Sequence, residues 1–126
     1  MRFLVKATIP VEAGNALVQD PQFGGRLGQL VGDLKPETVY FAIEGGQRTM
    51  YFIVNVADAS QTPAIAEPLW LTCRAEVTFI PVMTQADMAR ATPSIAQAAK
   101  KYGAAGGTPA AAPRQRRVRD TAGRTA

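Results

Sequence analysis

Apolar and polar residues alternate in four segments of the chain, and each of these segments predicts a β-strand. In each one, a set of alternate side chains is strongly apolar, as in a strand that buries one face. Between the second and third segments stand Gly45, Gly46 and Gln47, and the two glycines tolerate positive φ and predict a tight hairpin. The four segments are Arg2 to Ile9, Thr38 to Glu44, Arg48 to Val56 and Ala75 to Val82.

Helical spacing of apolar residues separates the first two strands. Asp20 is predicted to be the N-cap of a helix whose first residue is Pro21, because proline at this position loses no helical hydrogen bond. The helix is expected to end at Lys35-Pro36, and the preceding residues 11–18 to form at most a short helical turn. Three glycines spaced four residues apart, Gly24, Gly28 and Gly32, indicate either close packing against a neighbour or a weak helix.

A second helix is predicted before the last strand, with a third after it. Asp58 or Ser60 is placed to accept from the amides of a first helical turn, and Pro63 falls in that turn, where a missing N–H costs little. Pro68 is then expected to close or kink the helix. After the last strand, Thr84 is predicted to cap a turn, and a terminal helix is expected to start at Thr92-Pro93.

The order of these elements is strand, helix, strand, hairpin, strand, helix, strand and terminal helix. This order predicts an α+β domain of the ferredoxin-like βαββαβ plan, with a four-stranded antiparallel sheet and two helices on one face. The other face, which we call the mixed face, combines apolar and polar side chains. A sheet-to-sheet homodimer would cover it. Its predicted members are Leu4, Lys6, Thr8, Tyr40, Ala42, Tyr51, Ile53, Asn55, Glu76, Thr78 and Ile80.

Charge divides the chain into a folded domain, residues 1–103, and a basic tail, residues 104–126. The first part holds nine Lys/Arg and nine Asp/Glu, whereas the second holds five arginines and one aspartate. A nucleic-acid-binding core is therefore not expected. The tail is rich in Ala, Gly and Pro and predicts disorder. With a single cysteine and an N-terminal segment that alternates like a strand, a cytoplasmic protein is expected.

Four segments of the sequence resemble the dimeric α+β-barrel superfamily, and within it small bacterial proteins loosely related to muconolactone isomerases. The resemblance implies subunits that pair sheet to sheet around a cavity for a small organic molecule. It also implies an isomerase or a cofactor-free monooxygenase as the class of enzyme, and no cofactor or metal. The segments that carry it are IPVEAGN from Ile9, KPETVYF from Lys35, GGQRT from Gly45 and AIAEPLWL followed by AEVTFIPVMT.

The chain contains no histidine, which excludes Ser-His-Asp and Cys-His nucleophiles and the usual zinc sites. Cys73 is expected to pack as a small hydrophobic residue. Tyr and Glu can act in general acid–base chemistry when burial tunes them, but the same groups can simply satisfy one another across the dimer. Glu44 is predicted to be solvated at the hairpin. The candidate ligand-binding residues are Lys6, Tyr40, Tyr51, Asn55, Glu76 and Thr78.

A non-catalytic role is the alternative hypothesis. The domain would then serve for dimerisation, and the basic tail would recruit an acidic partner or nucleic acid through salt-sensitive contacts. The arginines that suggest this role are Arg114, Arg116, Arg117 and Arg119.

Overall fold

The computed structural model describes residues 1–103, which form an antiparallel four-stranded sheet with α-helices. These residues divide into two compact units, of which the first is Met1–Val82 and the second begins at Met83. The first unit contains the whole sheet. The predicted disordered tail and its arginines lie outside the described residues, so their role stays a prediction.

The sheet has the order β2-β3-β1-β4, and every neighbouring pair is antiparallel. The strands are β1 (Arg2–Ile9), β2 (Thr38–Glu44), β3 (Gln47–Asn55) and β4 (Glu76–Pro81). Gly45 and Gly46 connect β2 to β3 with φ of 61° and 76°, as the hairpin prediction requires. The α+β class and the antiparallel sheet are thus confirmed.

Three helices pack on the apolar face of the sheet within this unit and bury most of its β1 and β3 side chains: α1 (Val11–Val18), α2 (Phe23–Leu34) and α3 (Thr62–Cys73). Val5 and Ala7 of β1 are fully buried, together with Phe52 of β3. They share one hydrophobic core with helix residues such as Leu30 and Leu69. This face is the apolar one that strand alternation predicted.

The first two helices differ from the sequence-based prediction. Residues 11–18 form a complete helix, whereas at most one turn was expected. The second helix starts at Phe23, because Asp20 is not its N-cap and instead accepts from the Gln22 amide at 2.9 Å in a turn before the helix. The helix ends in the left-handed residue Lys35, as the Lys35-Pro36 boundary predicted.

The third helix continues through Pro68, so this proline does not close it, which was one of the two predicted outcomes. Leu69 and Cys73, one and five residues later, are both fully buried in the core. Their burial offsets the hydrogen bond that proline cannot donate, an interior defect of about 3 kcal/mol. A 3₁₀ turn, Ala59–Gln61, precedes α3, and Asp58 caps this turn by accepting from the Ser60 amide at 2.8 Å, whereas α3 itself has no side-chain cap. The helix ends at the left-handed residue Arg74.

The glycine row of α2 faces open space. A Cβ atom built on Gly24, Gly28 or Gly32 meets no heavy atom within 4 Å beyond the helix's own backbone. Close packing of this row against a neighbour is therefore not found within the described residues. The weak-helix interpretation remains, because each glycine keeps the entropy penalty without a packing gain.

The described part of the second unit is a helix, α4 (Gln85–Ala98), extended by a π-helical turn, Ala99–Gly103. It starts at a capping box in which Thr84 Oγ1 accepts from the Asp87 amide at 3.1 Å and the Asp87 carboxylate accepts from the Thr84 amide at 2.9 Å. The Thr84 amide lowers the pKa of the Asp87 carboxyl. The helix starts well before Thr92 and runs through Pro93, so the predicted restart is wrong. Within residues 1–103, no helix combines the length and apolar character needed to cross a membrane.

Candidate functional site

Four of the six candidate residues lie side by side on the mixed face. The strand register places Lys6 directly opposite Tyr51 on one side and Thr78 on the other. Tyr51 is in turn opposite Tyr40. Tyr40, Tyr51, Lys6 and Thr78 therefore form one row across all four strands, because residues opposite each other in a sheet share a face.

The other two candidates lie outside this row. Glu76 is opposite Thr8, so it lies in the neighbouring row toward the hairpin. Asn55 is opposite Arg2, at the far end of the sheet, and its side-chain oxygen accepts from the Met1 ammonium at 2.8 Å. Asn55 is thus hydrogen-bonded at the end of the sheet and lies away from the row.

Glu44 is solvent-exposed at the hairpin, as predicted, but its side chain also contacts the row. Its Oε2 atom lies 2.8 Å from Lys6 Nζ, and its Oε1 atom accepts from the Tyr51 hydroxyl. Glu44 belongs to the same face as Tyr40, four residues earlier in β2. The carboxylate therefore links two neighbouring strands of the row, and we call Lys6, Glu44 and Tyr51 the bridge.

The bridge explains a buried polar residue on this face. Thr49 is 2% exposed, although it lies on the face opposite the core. In the register, Thr49 and its partner Thr8 form the row between Tyr51–Lys6 and the Glu44–Gln47 pair. The contacts that Lys6 and Tyr51 make with Glu44 therefore pass over the row of Thr49 and Thr8. The Thr49 hydroxyl is satisfied because it donates to the Gln47 carbonyl at 3.1 Å.

The bridge combines groups that can bind and polarise a small molecule. The Tyr51 hydroxyl donates to Glu44, so its own oxygen is left to accept from a ligand. The Lys6 ammonium has three N–H groups, of which the contact with Glu44 uses one. Lysine and glutamate balance in charge, so the bridge favours a neutral polar ligand over a strongly charged one.

An apolar row lies beside the bridge on the other side. Leu4 of β1 is opposite Ile53 of β3 and Ile80 of β4. Leu4 and Ile53 are half-buried, and Ile80 is 41% exposed. None of the three belongs to the hydrophobic core on the other face of the sheet. A molecule on the mixed face would therefore contact an apolar strip next to polar groups, as in typical small-molecule sites.

Cys73 is not part of this site. Its side chain is fully buried in the core at the end of α3, as the sequence predicted, and burial raises the pKa of its thiol above 9.0. Such a thiol is protected from reagents because they cannot reach it in the core and because only a small fraction of it is thiolate.

We expect a disulfide reagent such as dithionitrobenzoate to label Cys73 at least ~100-fold more slowly in the folded protein than in guanidinium chloride, because labelling requires local opening. The pH at which labelling accelerates should be higher for the folded chain, since its thiol pKa is raised. The single cysteine makes the absorbance of the released thiolate a direct measurement. Rapid, stoichiometric labelling under native conditions would contradict the buried position.

Two concavities of the first unit lie among the helices rather than on the mixed face. A groove of about 430 Å³ between α2 and α3 is lined by Arg26, Asp33 and Leu71, among others. Arg26 is paired with Asp20 at 2.5 Å, so its charge is already balanced. A molecule bound on one face of a sheet is enclosed only if a second layer covers it, so a buried site on the mixed face would need such a layer.

Within the described residues, no three His, Cys, Asp or Glu side chains are grouped so that they could hold a metal ion. Glu44 and Glu76 are the acidic members of the mixed face, and they lie on strands at opposite edges of the sheet. The site is therefore built from hydroxyl, ammonium and carboxylate groups.

No protein-family model matches the chain, and neither the curated proteins nor the solved structures give a significant match. The resemblance to dimeric α+β-barrel proteins thus stays a prediction. The functional conclusion depends on the geometry of the mixed face.

Proposed function

We propose that this protein binds a small, neutral organic molecule over the mixed face and moves a proton on it, as a cofactor-free isomerase or related enzyme. One observation supports this most directly: Glu44, at the hairpin end of β2, accepts from both Lys6 and Tyr51 on a partly apolar face. A carboxylate, a hydroxyl and an ammonium held together are the components of general acid–base catalysis.

A two-fold homodimer closes the site in this proposal. The strand order β2-β3-β1-β4 supports the proposed ferredoxin-like plan, and helices on the other face leave the mixed face available for a second sheet. Two sheets that pack face to face are about 10 Å apart, which accommodates side chains and a small ligand between them. Each subunit would then contribute one bridge to the cavity.

The proposed chemistry assigns a separate role to each member of the bridge. The Tyr51 oxygen accepts a proton from an acidic C–H group of the ligand while its own proton passes to Glu44. Lys6 donates to the ligand oxygen on which negative charge develops. Return of the proton to a different carbon completes an isomerisation, with no net change in the protein.

Proton transfer can be measured as exchange of ligand C–H for deuterium in D₂O, followed by proton NMR. The probe is a panel of small unsaturated lactones, the ligand class that the resemblance implies. We expect the wild type to exchange a ring proton, and Glu44→Gln to lower the rate at least ~100-fold, because the amide oxygen can still accept from Tyr51 but cannot take its proton, and the amide NH2 group cannot accept from Lys6. Tyr51→Phe should have a similar effect.

Glu37→Gln is the matched control. Glu37 directly precedes β2, the strand that contains Glu44, and its ion pair with Arg2 has the same 2.8 Å length as that of Glu44 with Lys6. This variant should exchange at the wild-type rate. Lactones that bind, with chemical-shift changes at Lys6 and Tyr51 but no exchange, would reduce the proposal to a binding protein. A panel that neither binds nor exchanges would count against the site itself.

A further inference from the structure

The edge strand β2 exposes apolar side chains on both of its faces. Tyr40 is 65% exposed on the mixed face. On the core face, Phe41 is 62% and Ile43 is 84% exposed, although alternation predicts these two residues to be buried like Val5 and Phe52. Exposure thus increases along the strand from the half-buried Val39 to the hairpin.

Natural sheets protect exposed edges with charges, prolines, bulges or short strands. The opposite edge, β4, follows this rule: it has six residues, begins at Glu76 and ends at Pro81. From Thr38 to Ile43, β2 contains no charged residue, proline or glycine. An edge of this composition is a template for pairing with another strand.

The backbone of β2 presents its free hydrogen-bonding groups at the exposed apolar positions. The two-residue turn makes Glu44 and Gln47 the hydrogen-bonded pair that closes the hairpin. Because such pairs alternate along an antiparallel ladder, Ala42 and Tyr40 also bond to β3. The N–H and C=O groups of Val39, Phe41 and Ile43 therefore point away from the sheet.

We propose that β2 pairs antiparallel with β2 of a second copy of this chain, about a two-fold axis at Phe41. In this register Phe41 is opposite the partner's Phe41, and Val39 is opposite the partner's Ile43. The core-face side chains then form one continuous apolar ladder across the two subunits. An apolar hollow of about 230 Å³ beside Phe41, lined also by Phe23 and Leu27, adds packing surface next to this ladder.

The charges at this edge are compatible with a second copy. In the register centred on Phe41, Glu44 is opposite the partner's Thr38, so no carboxylates face each other. The two acidic groups flanking β2 are already paired, Glu37 with Arg2 and Glu44 with Lys6. A neutral, self-complementary strand fits another copy of itself better than it fits a charged peptide.

This contact is separate from the proposed dimer over the mixed face and does not depend on it. The edge contact uses the outward backbone of β2 and its core-face side chains, whereas the other uses the mixed face. If both form, two two-fold axes generate a closed tetramer rather than a fibre when the axes intersect at right angles.

The test compares the wild type with Ile43→Lys by analytical ultracentrifugation at micromolar concentration. Ile43 is 84% exposed in the subunit, so the lysine should leave the fold intact while it places two cations at the edge contact. We expect the variant particle to have half the mass of the wild-type particle. Leu71→Lys is the matched control, because Leu71 is 80% exposed on α3 and should leave the mass unchanged.

Amide hydrogen exchange gives a second readout that needs no substitution. In the wild type, the amides of Phe41 and Ile43 should exchange at least ~100-fold more slowly than in Ile43→Lys, because the partner strand accepts from them. An Ile43→Lys particle of wild-type mass, or unprotected amides at these two positions in the wild type, would overturn the proposal. Substitutions at Ile53 or Ile80 should instead disrupt the mixed-face contact, and they should leave the amides of Phe41 and Ile43 protected.

Discussion

Replacing Ile53 by Asp is expected to dissociate the proposed mixed-face dimer. Ile53 is half-buried next to Leu4 in the apolar row of that face. In a sheet-to-sheet dimer the new carboxylate would be enclosed without a partner in both subunits, at a cost of several kcal/mol per dimer. Sedimentation at micromolar concentration should show a particle of half the wild-type mass, or aggregation if the freed face associates non-specifically.

Two further variants separate dissociation from misfolding. Ile80→Asp tests the same row at a position that is 41% exposed in the subunit, so its far-ultraviolet circular dichroism should stay that of the wild type. Ile53→Val keeps the row apolar and should keep the wild-type mass. If both aspartate variants fold and sediment like the wild type, the mixed face is not the dimer contact, and the closed cavity of the proposed function is lost with it.

The strands and their two faces could be predicted from sequence because the residue patterns that determine them are local. Alternation defines which side chains share a face, and Gly45-Gly46 fixes the hairpin register. Once the strand order is known, that register brings Tyr40, Tyr51, Lys6 and Thr78 into one row. The sequence placed these four on one face but could not place them in one row, because the offsets between β1 and its neighbours depend on tertiary packing.

Glu44 was missed for a related reason. A glutamate beside a Gly-Gly turn is usually solvated, and no local sequence pattern indicates that the side chains of Lys6 and Tyr51 contact it. The contact depends on β1 lying next to β3, which brings Lys6 within 2.8 Å of a residue 38 positions later. Only strand order, a non-local property, could have identified it.

Proline positions were misjudged because tertiary burial outweighs local preference. Pro68 is unfavourable inside a helix, yet the core requires Ile65, Leu69 and Cys73 on one face, at helical spacing. These three residues are buried only if the helix continues past the proline. A local rule for helix ends has no information about that requirement.

The glycine row of α2 offers the second large effect, which is a gain in stability. Replacing Gly24, Gly28 and Gly32 by alanine should raise the free energy of unfolding by about 2 kcal/mol, because each alanine restricts the unfolded chain and favours the helix. The added Cβ atoms meet nothing within 4 Å, so no clash opposes the gain. For a domain of this size the thermal midpoint should rise by about 8 °C, which differential scanning calorimetry would measure.

Gly46→Ala is the control with the opposite sign. Gly46 has φ of 76°, a conformation that alanine rarely adopts, so the same change should lower the midpoint. Suppose that Gly46→Ala lowers the midpoint as expected, but that the triple alanine variant does not raise it. This result would show that the α2 row meets a neighbouring molecule in the folded assembly. The close-packing interpretation, not supported within the described residues of one chain, would then apply between chains, because the row has no contact within 4 Å in the single subunit.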